Sequence, residues 1–492
     1  MKIKRLVLSE PLVALMGFIL VLTGAHVFAG FWADLSEDAA HYALYGFYPA
    51  LSYFDHPPLI GWMQFLVERV SSSNLALRAW PMALMAASCI TLFRLTRELF
   101  PEESPWIGLT AVLVLQSAVI IQLMGFSMLP DDPLLLFWIL SAHALYRALV
   151  QNDPRQWLWI GLWFGLAGLS KGTAVTLVVS AIVLMITERR WSQLRTPWPW
   201  LAILVALALI SPILWWNAHH DWMWLRYQIL HIGDPRPWEW QRFAKSQVIQ
   251  FFSYSPGIYI LGYVSLLLAL RHWQEERMRL LLAIALPLFI FIDGASGRET
   301  SLPHWPAVGW ATVCILIAWL LHRYWRTSRW LRVGTYASAG YSMLVIGTLF
   351  FFLGTSVNPF PVNRNPLATA GLYGWERAAV HAEALRSEMA ATPGPAPVLY
   401  AGNWSYASQL AWYARPTPVQ ITDRTLRQMT LWYGNPVKGG RGVLVVPQHF
   451  ADKAPAWQAK FERCQATPPM PIKVGGKIAT TYYFYRCMGY RG

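Results

Sequence analysis

The side chains best suited to chemistry lie in one polar segment of an apolar chain, residues 32–78, which follows the first long apolar stretch. Its carboxylates and imidazoles can accept protons, and its phenols can hold polar substrates. A segment this rich in ionisable groups, placed between apolar stretches, predicts chemistry at a membrane face. The candidate residues in this segment are Asp38, His41, Tyr42, Tyr53, Asp55 and His56.

Asp55-His56-Pro57-Pro58 is the stiffest part of the segment. Proline fixes its own φ and biases the preceding residue towards an extended conformation. This stiffness would hold His56 at a defined position near the lipid headgroups. A simple turn before an amphipathic helix that begins near Leu59 explains the same residues, and the motif alone does not decide between the two.

A second acidic cluster, Asp131-Asp132, comes directly before Pro133 at the start of another apolar stretch. Carboxylates near the hydrocarbon are costly unless they are solvated, paired or used in function. The alternative is that they cap a helix whose first turn contains the proline.

Three further candidates lie at the ends of apolar stretches. Lys171 can extend its ammonium group to the headgroups or bind a phosphate. His304 and Trp305 form part of the sequence LPHWP, which is predicted on the same membrane face as the segment 32–78. A lone interfacial histidine is more often solvated than a ligand.

The apolar stretches set the fold class. The chain has 492 residues, of which 55% are hydrophobic and 13% charged, against about a quarter charged in soluble proteins. Stretches near 20 residues predict an all-α polytopic membrane protein with about eleven transmembrane helices. The predicted spans are 11–31, 79–98, 106–125, 132–150, 157–170, 172–187, 199–216, 250–270, 279–293, 303–321 and 333–353.

Charge distribution predicts the orientation of these spans. Arg and Lys are concentrated on the side that carries the N-terminus, so the N-terminus is expected in the cytoplasm. The loop 32–78 and everything after the last span then face the periplasm, outside the inner membrane. The net charge of +14 is explained by this distribution, and no nucleic-acid partner is predicted.

Residues 355–492 have a different character from the transmembrane domain 1–354. Short alternating or apolar runs between Gly and Pro predict strands, and HAEALRSEMA predicts a helix, so a small periplasmic α/β domain is expected. Cys464 and Cys487 would lie in an oxidising compartment, where they either form a disulfide or remain two thiols.

The chain lacks the motifs of several enzyme classes. It contains no Walker loop, no HExxH and no paired CxxC, so no cofactor is predicted, and a divalent metal is left open. A periplasmic active site has no nucleotide sugars or ATP within reach. An activated substrate must then arrive through the membrane, and a lipid-linked donor meets that requirement.

Several of these motifs resemble the GT-C integral-membrane glycosyltransferases, in the branch of protein O-mannosyltransferases and lipid A aminoarabinose or galacturonic acid transferases. The motifs are Asp38-Ala39-Ala40-His41-Tyr42, Tyr53-Phe54-Asp55-His56-Pro57-Pro58-Leu59, Leu129-Pro130-Asp131-Asp132-Pro133-Leu134, Gly168-Leu169-Ser170-Lys171 and Trp216-Asn217. The resemblance covers roughly residues 10–310 and, more loosely, the outer C-terminal domain. The chain departs from the family at Ala39, where a glutamate is usual.

The resemblance implies roles for single residues. Asp38 would be the general base and Asp131 a second carboxylate that shapes the acceptor site. His56 and Lys171 would hold the donor phosphate. The remaining residues of the implied substrate site are His41, Tyr42, Tyr53, Asp55, His304 and Trp305.

The resemblance also implies a reaction, the transfer of a sugar from a polyprenyl-phosphate donor to an envelope acceptor. Lipid A, core oligosaccharide, another glycolipid and protein all remain open as the acceptor. One alternative is a transporter or flippase of lipid-linked sugars, although the sequence shows no repeat of the kind common in transporters. Another alternative is a non-catalytic envelope protein, which the alanine at position 39 keeps open.

Overall fold

A computed structural model describes residues 9–232, 236–299, 301–355, 371–423 and 427–492. Contacts divide the chain into two compact units. The first, called here the membrane unit, comprises Met1–His26, His56–Ile60 and Ala79–Thr348. The second, called the sheet unit, comprises Val27–Asp55, Gly61–Arg78 and Leu349–Gly492. The boundary predicted near residue 354 stays a prediction, and the sheet unit contains most of the polar loop 32–78.

Most helices lie in the first three quarters of the chain. Their bounds are α1 Glu10–Gly30, α2 Glu37–Phe47, α3 Leu59–Glu68, α4 Asn74–Leu77, α5 Ala79–Leu99, α6 Ile107–Gln116, α7 Val119–Met124, α8 Asp131–Leu145, α9 Trp157–Ser170, α10 Val175–Thr187, α11 Trp198–Ala218, α12 Met223–Ile232, α13 Trp240–Ser253, α14 Pro256–Arg271, α15 Glu276–Ser296, α16 Ala307–Tyr324 and α17 Arg329–Thr355.

Among the described residues, seven helices are long and apolar enough to cross a membrane, or eight if the bent pair α13 and α14 counts as one span. The prediction of a polytopic helical membrane protein is therefore confirmed, whereas the count of eleven stays a prediction. Some predicted spans are divided or short. The span 106–125 is split between Gln116 and Val119, and α9 has 14 residues, fewer than the roughly 20 that a bilayer requires.

The sheet unit contains the predicted α/β domain. Its later elements are α18 Trp375–Ala390, β1 Val398–Ala401, α19 Trp404–Tyr413, β2 Val419–Ile421, α20 Gln428–Tyr433, β3 Gly442–Pro447, α21 Ala454–Gln458, β4 Phe461–Ala466, β5 Met470–Val474 and β6 Lys477–Tyr490. The strands form one sheet in the order β2-β1-β3-β6-β4, with β5 also paired to β6. β1 pairs in parallel with β2 and β3, and β6 pairs antiparallel with β3, β4 and β5.

Two features stabilise this unit. β3 is buried along its whole length, as its unbroken apolar sequence requires for a central strand covered on both faces. Cys464 on β4 lies opposite Cys487 on β6, and the two form a disulfide. The sequence left open whether these cysteines form a disulfide or remain two thiols, and in the structure they form the disulfide.

Helix α2, which carries the first catalytic candidates, packs against α19 within the sheet unit. Ser36 caps its N-terminus by accepting a hydrogen bond from the amide of Ala39 at 3.2 Å. Eight consecutive residues of this short helix are buried, three of them alanines that allow a close approach of the two helices. The polar loop is therefore folded into the sheet unit along its helical part.

Candidate functional site

A buried ion pair forms the centre of the polar residues in the membrane unit. The ammonium of Lys171 donates to both carboxylate oxygens of Asp131, each at 2.8 Å. The Asp131 side chain is 1% exposed and that of Lys171 is 11% exposed. The pair thus combines two full charges in a position that excludes most water.

Helix packing places the two charges together across 40 residues of sequence. Asp131 lies in the first turn of α8, and Lys171 follows the last residue of α9, which packs on α8. An acid at a helix N-terminus and a base at a C-terminus are both favoured by the helix dipoles. The chain is extended at Lys171, where α9 stops before a short 3₁₀ turn, so the ammonium group is placed at a break between helices.

A buried pair of this kind is weak evidence for stability, since desolvation offsets much of the attraction, and apolar side chains of the same volume often stabilise more. Its presence therefore calls for a functional reason. Ionisable residues that lie within the depth of a membrane usually mark functional sites and are usually paired, as Asp131 and Lys171 are.

Asp132 has a different environment from its neighbour. One of its oxygens accepts a hydrogen bond from the amide of Leu129 at 2.8 Å, which closes the turn before α8. The N-cap of α8 is Pro130 and no side chain caps the helix, so neither acid is the cap: Asp132 holds the turn before the helix, whereas Asp131 reaches into the ion pair. The sequence places the two acids side by side, and the first turn of the helix separates their roles.

His304 lies beside this pair, with Nε2 3.9 Å from Asp131 Oδ2. Its loop is fixed by the hydroxyl of Tyr254, which donates to the carbonyl of Pro303 at 2.7 Å. Burial lowers the pKa of His304 to about 4; the attraction of Asp131 opposes this, and Lys171 and His56 lower it further. His304 is therefore neutral at pH 7. It can contact a substrate through hydrogen bonds but not as a cation.

A second group of candidates lies in the sheet unit around His41, which is 3% exposed. His41 Nδ1 is 2.9 Å from the hydroxyl of Ser408, and Nε2 is 3.3 Å from Asp55 Oδ2. The hydroxyl of Tyr45 donates to the other oxygen of Asp55. The imidazole and the carboxylate are thus held in one orientation by neutral hydroxyl groups.

Aromatic rings enclose this histidine. Tyr42, Tyr45, Trp404 and Trp432 all lie with ring centroids 5.1–5.8 Å from the His41 ring. Ser408 is fully buried, and its hydroxyl donates to the carbonyl of Trp404 at 3.0 Å. The Ser408-His41-Asp55 sequence of contacts therefore positions the histidine and does not present a nucleophile to a substrate.

Tyr53, a predicted residue of the substrate site, is fully buried in the sheet unit. Its ring stacks on that of Tyr45 with centroids 3.5 Å apart, and its hydroxyl donates to the carbonyl of Tyr45 at 2.8 Å. Burial also raises its pKa. In this structure Tyr53 fixes the chain between α2 and the Asp55 turn.

Asp38 lies in the first turn of α2 and is partly exposed, as a general base that meets a substrate must be. Its neighbour Glu37 lies 3.8 Å from His449 Nε2, on the surface of the sheet unit. Ala39 is 4% exposed and lies on α2, the helix that packs against α19. The departure from the family pattern at Ala39 therefore falls at a packed position.

The ten predicted site residues divide evenly between the two units. The membrane unit holds His56, Asp131, Lys171, His304 and Trp305, and the sheet unit holds Asp38, His41, Tyr42, Tyr53 and Asp55. Sequence reasoning did not predict Ser408, Trp404 or Trp432 around His41, because more than 360 residues separate them from it and no local pattern marks them.

Within the described ranges, no group of three or more His, Cys, Asp or Glu residues is arranged to hold a metal.

Known proteins are similar to this chain in sequence and in fold. Residues 55–216 match the family model described as dolichyl-phosphate-mannose-protein mannosyltransferase. A lipid A galacturonosyltransferase, RgtD, from Rhizobium johnstonii is 27% identical over 305 residues, covering 59% of this chain and 62% of that protein. An undecaprenyl phosphate-alpha-4-amino-4-deoxy-L-arabinose arabinosyl transferase from Pseudomonas aeruginosa is 32% identical over 178 residues, covering 35% of this chain and 31% of that protein.

The fold is similar to that of ArnT from Cupriavidus metallidurans. The apo structure aligns with a TM-score of 0.65 and 13% identity, covering 96% of this chain and 97% of that one. The structure bound to undecaprenyl phosphate aligns with a TM-score of 0.64 and 14% identity, covering 98% of both chains. The predicted resemblance to the GT-C integral-membrane glycosyltransferases is confirmed. The matched regions of the two sequence relatives are shorter than two thirds of those proteins.

Proposed function

We propose that this protein is a glycosyltransferase that moves a sugar from a polyprenyl-phosphate donor to an envelope acceptor at the outer face of the bacterial inner membrane. The observation that carries the proposal is the buried pair of Asp131 and Lys171 with His304 beside it. The names of the similar proteins support it, because they describe transfer to lipid A and an undecaprenyl-phosphate sugar.

Lys171 is proposed to bind the donor phosphate. An ammonium group has three N–H donors, and Asp131 accepts two hydrogen bonds from that of Lys171. The third donor and the positive charge remain for a phosphate oxygen. Asp131 then orients the ammonium group, and His56 supplies a further donor to the same phosphate.

Asp38 is proposed as the general base. In the reaction, the bond between the anomeric carbon and the phosphate oxygen breaks, and the polyprenyl phosphate leaves with the electron pair. An acceptor hydroxyl forms the new bond at the opposite face of the sugar, and Asp38 takes its proton. A single displacement of this kind inverts the anomeric configuration. Where the acceptor is itself a phosphate, Asp38 orients the attacking group instead.

The proposed location follows from the charge distribution in the sequence, with the N-terminus in the cytoplasm and the sheet unit in the periplasm. The disulfide between Cys464 and Cys487 supports that side, because disulfides persist in the oxidising periplasm.

Mass spectrometry of membrane glycolipids and glycoproteins tests the proposal and identifies the substrate. A deletion strain should lack one sugar mass on one acceptor, and plasmid-borne wild-type protein should restore it. Asp38→Asn should fail to restore it, whereas Glu383→Gln, which changes an acid already paired with Arg386 on α18, should restore it fully.

An unchanged glycan profile in the deletion strain, or full restoration by Asp38→Asn, would contradict the proposal. Movement of labelled lipid-linked sugar across liposomes by the purified protein, without transfer to any acceptor, would favour the transporter alternative.

A further inference from the structure

Three Glu or Arg side chains in the sheet unit, those of Glu68, Arg415 and Arg486, have a buried polar atom without a hydrogen-bond partner among the described residues, and two of these atoms belong to side chains that interact electrostatically. These two atoms are Oε1 of Glu68, the last residue of α3, and Nη1 of Arg415, which follows α19. Within the described part of the chain neither atom makes a hydrogen bond. A buried polar atom left unpaired is costly, more so when its group is charged. Such atoms therefore indicate a ligand or ordered water.

The position of the Glu68 carboxylate is fixed by its surroundings. A side chain at Gly46 would overlap Glu68 Oε1 and would lie 2.7 Å from the Cβ of Gln64. The absence of a side chain at position 46 thus allows α3 and the Glu68 carboxylate to approach α2 closely. Burial raises the pKa of Glu68 to about 7, and the charge of Arg415 acts in the opposite direction.

Arg415 is held by its planar face. Its guanidinium carbon lies 3.1 Å from the ring centroid of Trp412 and 5.6 Å from that of Phe47. Stacking of this kind uses the face of the guanidinium and leaves the N–H groups at its edge available. The unpaired Nη1 is one of these edge groups.

Three aromatic side chains form a wall near these two residues. Trp432 lies 5.4 Å from Tyr48 and 6.2 Å from Tyr433 by ring centroids, and all three are partly exposed. Arg415 interacts electrostatically with both tyrosines and with Glu68. One acid, one guanidinium and one aromatic wall therefore lie together within the sheet unit.

The chemistry of this cluster selects a neutral, hydroxylated ligand. The opposite charges of Glu68 and Arg415 offset each other, so the cluster favours neither an anion nor a cation over a neutral ligand. A hydroxyl group can accept from Arg415 and donate to Glu68 at the same time. A pyranose carries such hydroxyls at its edge and apolar C–H groups on its faces, which suit aromatic rings.

We propose that Glu68, Arg415 and the wall of Tyr48, Trp432 and Tyr433 bind a neutral pyranose ring of the acceptor. This inference rests on the proposed function, since it identifies the acceptor as a glycoconjugate with an uncharged sugar. Its role is recognition, and none of the five residues takes part in the bond exchange.

Saturation-transfer NMR with the full chain in lipid nanodiscs tests binding directly, with methyl α-glucopyranoside as the probe. Nanodiscs replace maltoside detergents, whose headgroups share the chemistry of the probe. Wild-type protein and Glu383→Gln should transfer saturation to the ring protons, whereas Glu68→Gln and Trp432→Ala should lose most of the signal. Gly46→Ala should also lose it, because the added methyl group displaces the Glu68 carboxylate while keeping its charge.

Excess inorganic phosphate should leave the wild-type signal unchanged. Absence of a wild-type signal, equal signals in Glu68→Gln and wild type, or displacement by phosphate would overturn the inference. Thermal melting of each variant checks folding, and Glu68→Gln carries the test if Trp432→Ala does not fold.

Steady-state kinetics separates this inference from the proposed function. Glu68→Gln should raise the acceptor KM about tenfold, as the loss of one hydrogen bond to a charged group implies, with the donor KM and kcat unchanged. Sugar transfer with an unaltered acceptor KM would overturn the subsite and leave the glycosyltransferase standing. Sugar binding by wild type without transfer to any acceptor would overturn the glycosyltransferase function and leave the subsite standing.

Discussion

In the membrane unit the charges of Asp131 and Lys171 meet directly, whereas in the sheet unit His41 and Asp55 are positioned by hydroxyl groups and aromatic rings. Both groups are buried, but they depend on their contacts differently. The ion pair rests on one contact between two full charges, and the loss of either partner leaves the other uncompensated. The network around His41 spreads its support over many neutral contacts, so each of them contributes less.

The difference suggests what each arrangement is for. A direct buried ion pair costs desolvation free energy that apolar residues would avoid, so its retention indicates a role in binding charge. A histidine surrounded by rings and hydroxyls is held in one orientation at small cost per contact. The following predictions test this contrast, from the largest expected effect to the smallest.

Lys171→Met should have the largest effect on stability, about 3–5 kcal/mol, because it leaves the Asp131 carboxylate buried without a counter-charge. The double variant Lys171→Met/Asp131→Leu should recover most of that loss, since no charge then remains. Chemical denaturation in detergent measures the four free energies of this cycle. Additive effects of the two substitutions would show that the pair does not interact as described.

His304 gives the same region a pH dependence. Its pKa is about 4 in the folded protein and about 6.5 when unfolded, so the unfolded state binds more protons below pH 6.5. The stability that His304 contributes is complete above pH 6.5 and falls by up to about 3 kcal/mol as the pH drops to 4.

Melting temperatures of wild type and His304→Gln should therefore converge as the pH falls from 6.5 to 4. His449→Gln, on the surface of the sheet unit, serves as the control and should show no such convergence. Parallel curves for His304→Gln and wild type would contradict the neutral, buried state of His304.

Ser408→Ala tests the distributed support around His41. It leaves Nδ1 without its partner and should cost about 1–2 kcal/mol, well below the effect of Lys171→Met. Ser405→Ala is the matched control, because it removes a hydrogen bond to the nearby Asn403. It should cost a few tenths of a kcal/mol of stability. A loss from Ser408→Ala as large as that from Lys171→Met would remove the contrast between the two regions.

Glu37→Gln should have the smallest effect, below about 0.5 kcal/mol, because its contact with His449 is at the surface and screened by water. Sugar transfer should also be unchanged, since Glu37 contacts His449 at the surface of the sheet unit. A large loss of transfer would show that Glu37 replaces the acid missing at Ala39.

The sequence predicted the class of fold well and its details less well. Long apolar stretches with few charges identify membrane helices whatever their packing, and short runs between Gly and Pro identified the sheet domain. Span counts depend on where an apolar stretch bends or breaks. Pro256-Gly257 marks the 110° bend between α13 and α14, whereas neither glycine nor proline marks the break after Gln116.

The candidate site shows the same limit. Asp131 and Lys171 could be named singly from their apolar surroundings, but their pairing depends on the packing of α8 against α9. Ser408 and Trp432 could not be named, because nothing near them in sequence signals a contact with His41. Residue type indicates which chemistry a side chain can do, whereas tertiary packing decides which partner it meets.

The most direct test of the account is sugar transfer by the stability-matched double variant Lys171→Met/Asp131→Leu, assayed with a polyprenyl-phosphate sugar and membrane extract as acceptor. The account predicts a folded protein whose transfer rate falls at least about a hundredfold, because the donor phosphate has lost the cation that holds it. Transfer at the wild-type rate by the folded double variant would contradict the claim that this buried pair serves the chemistry.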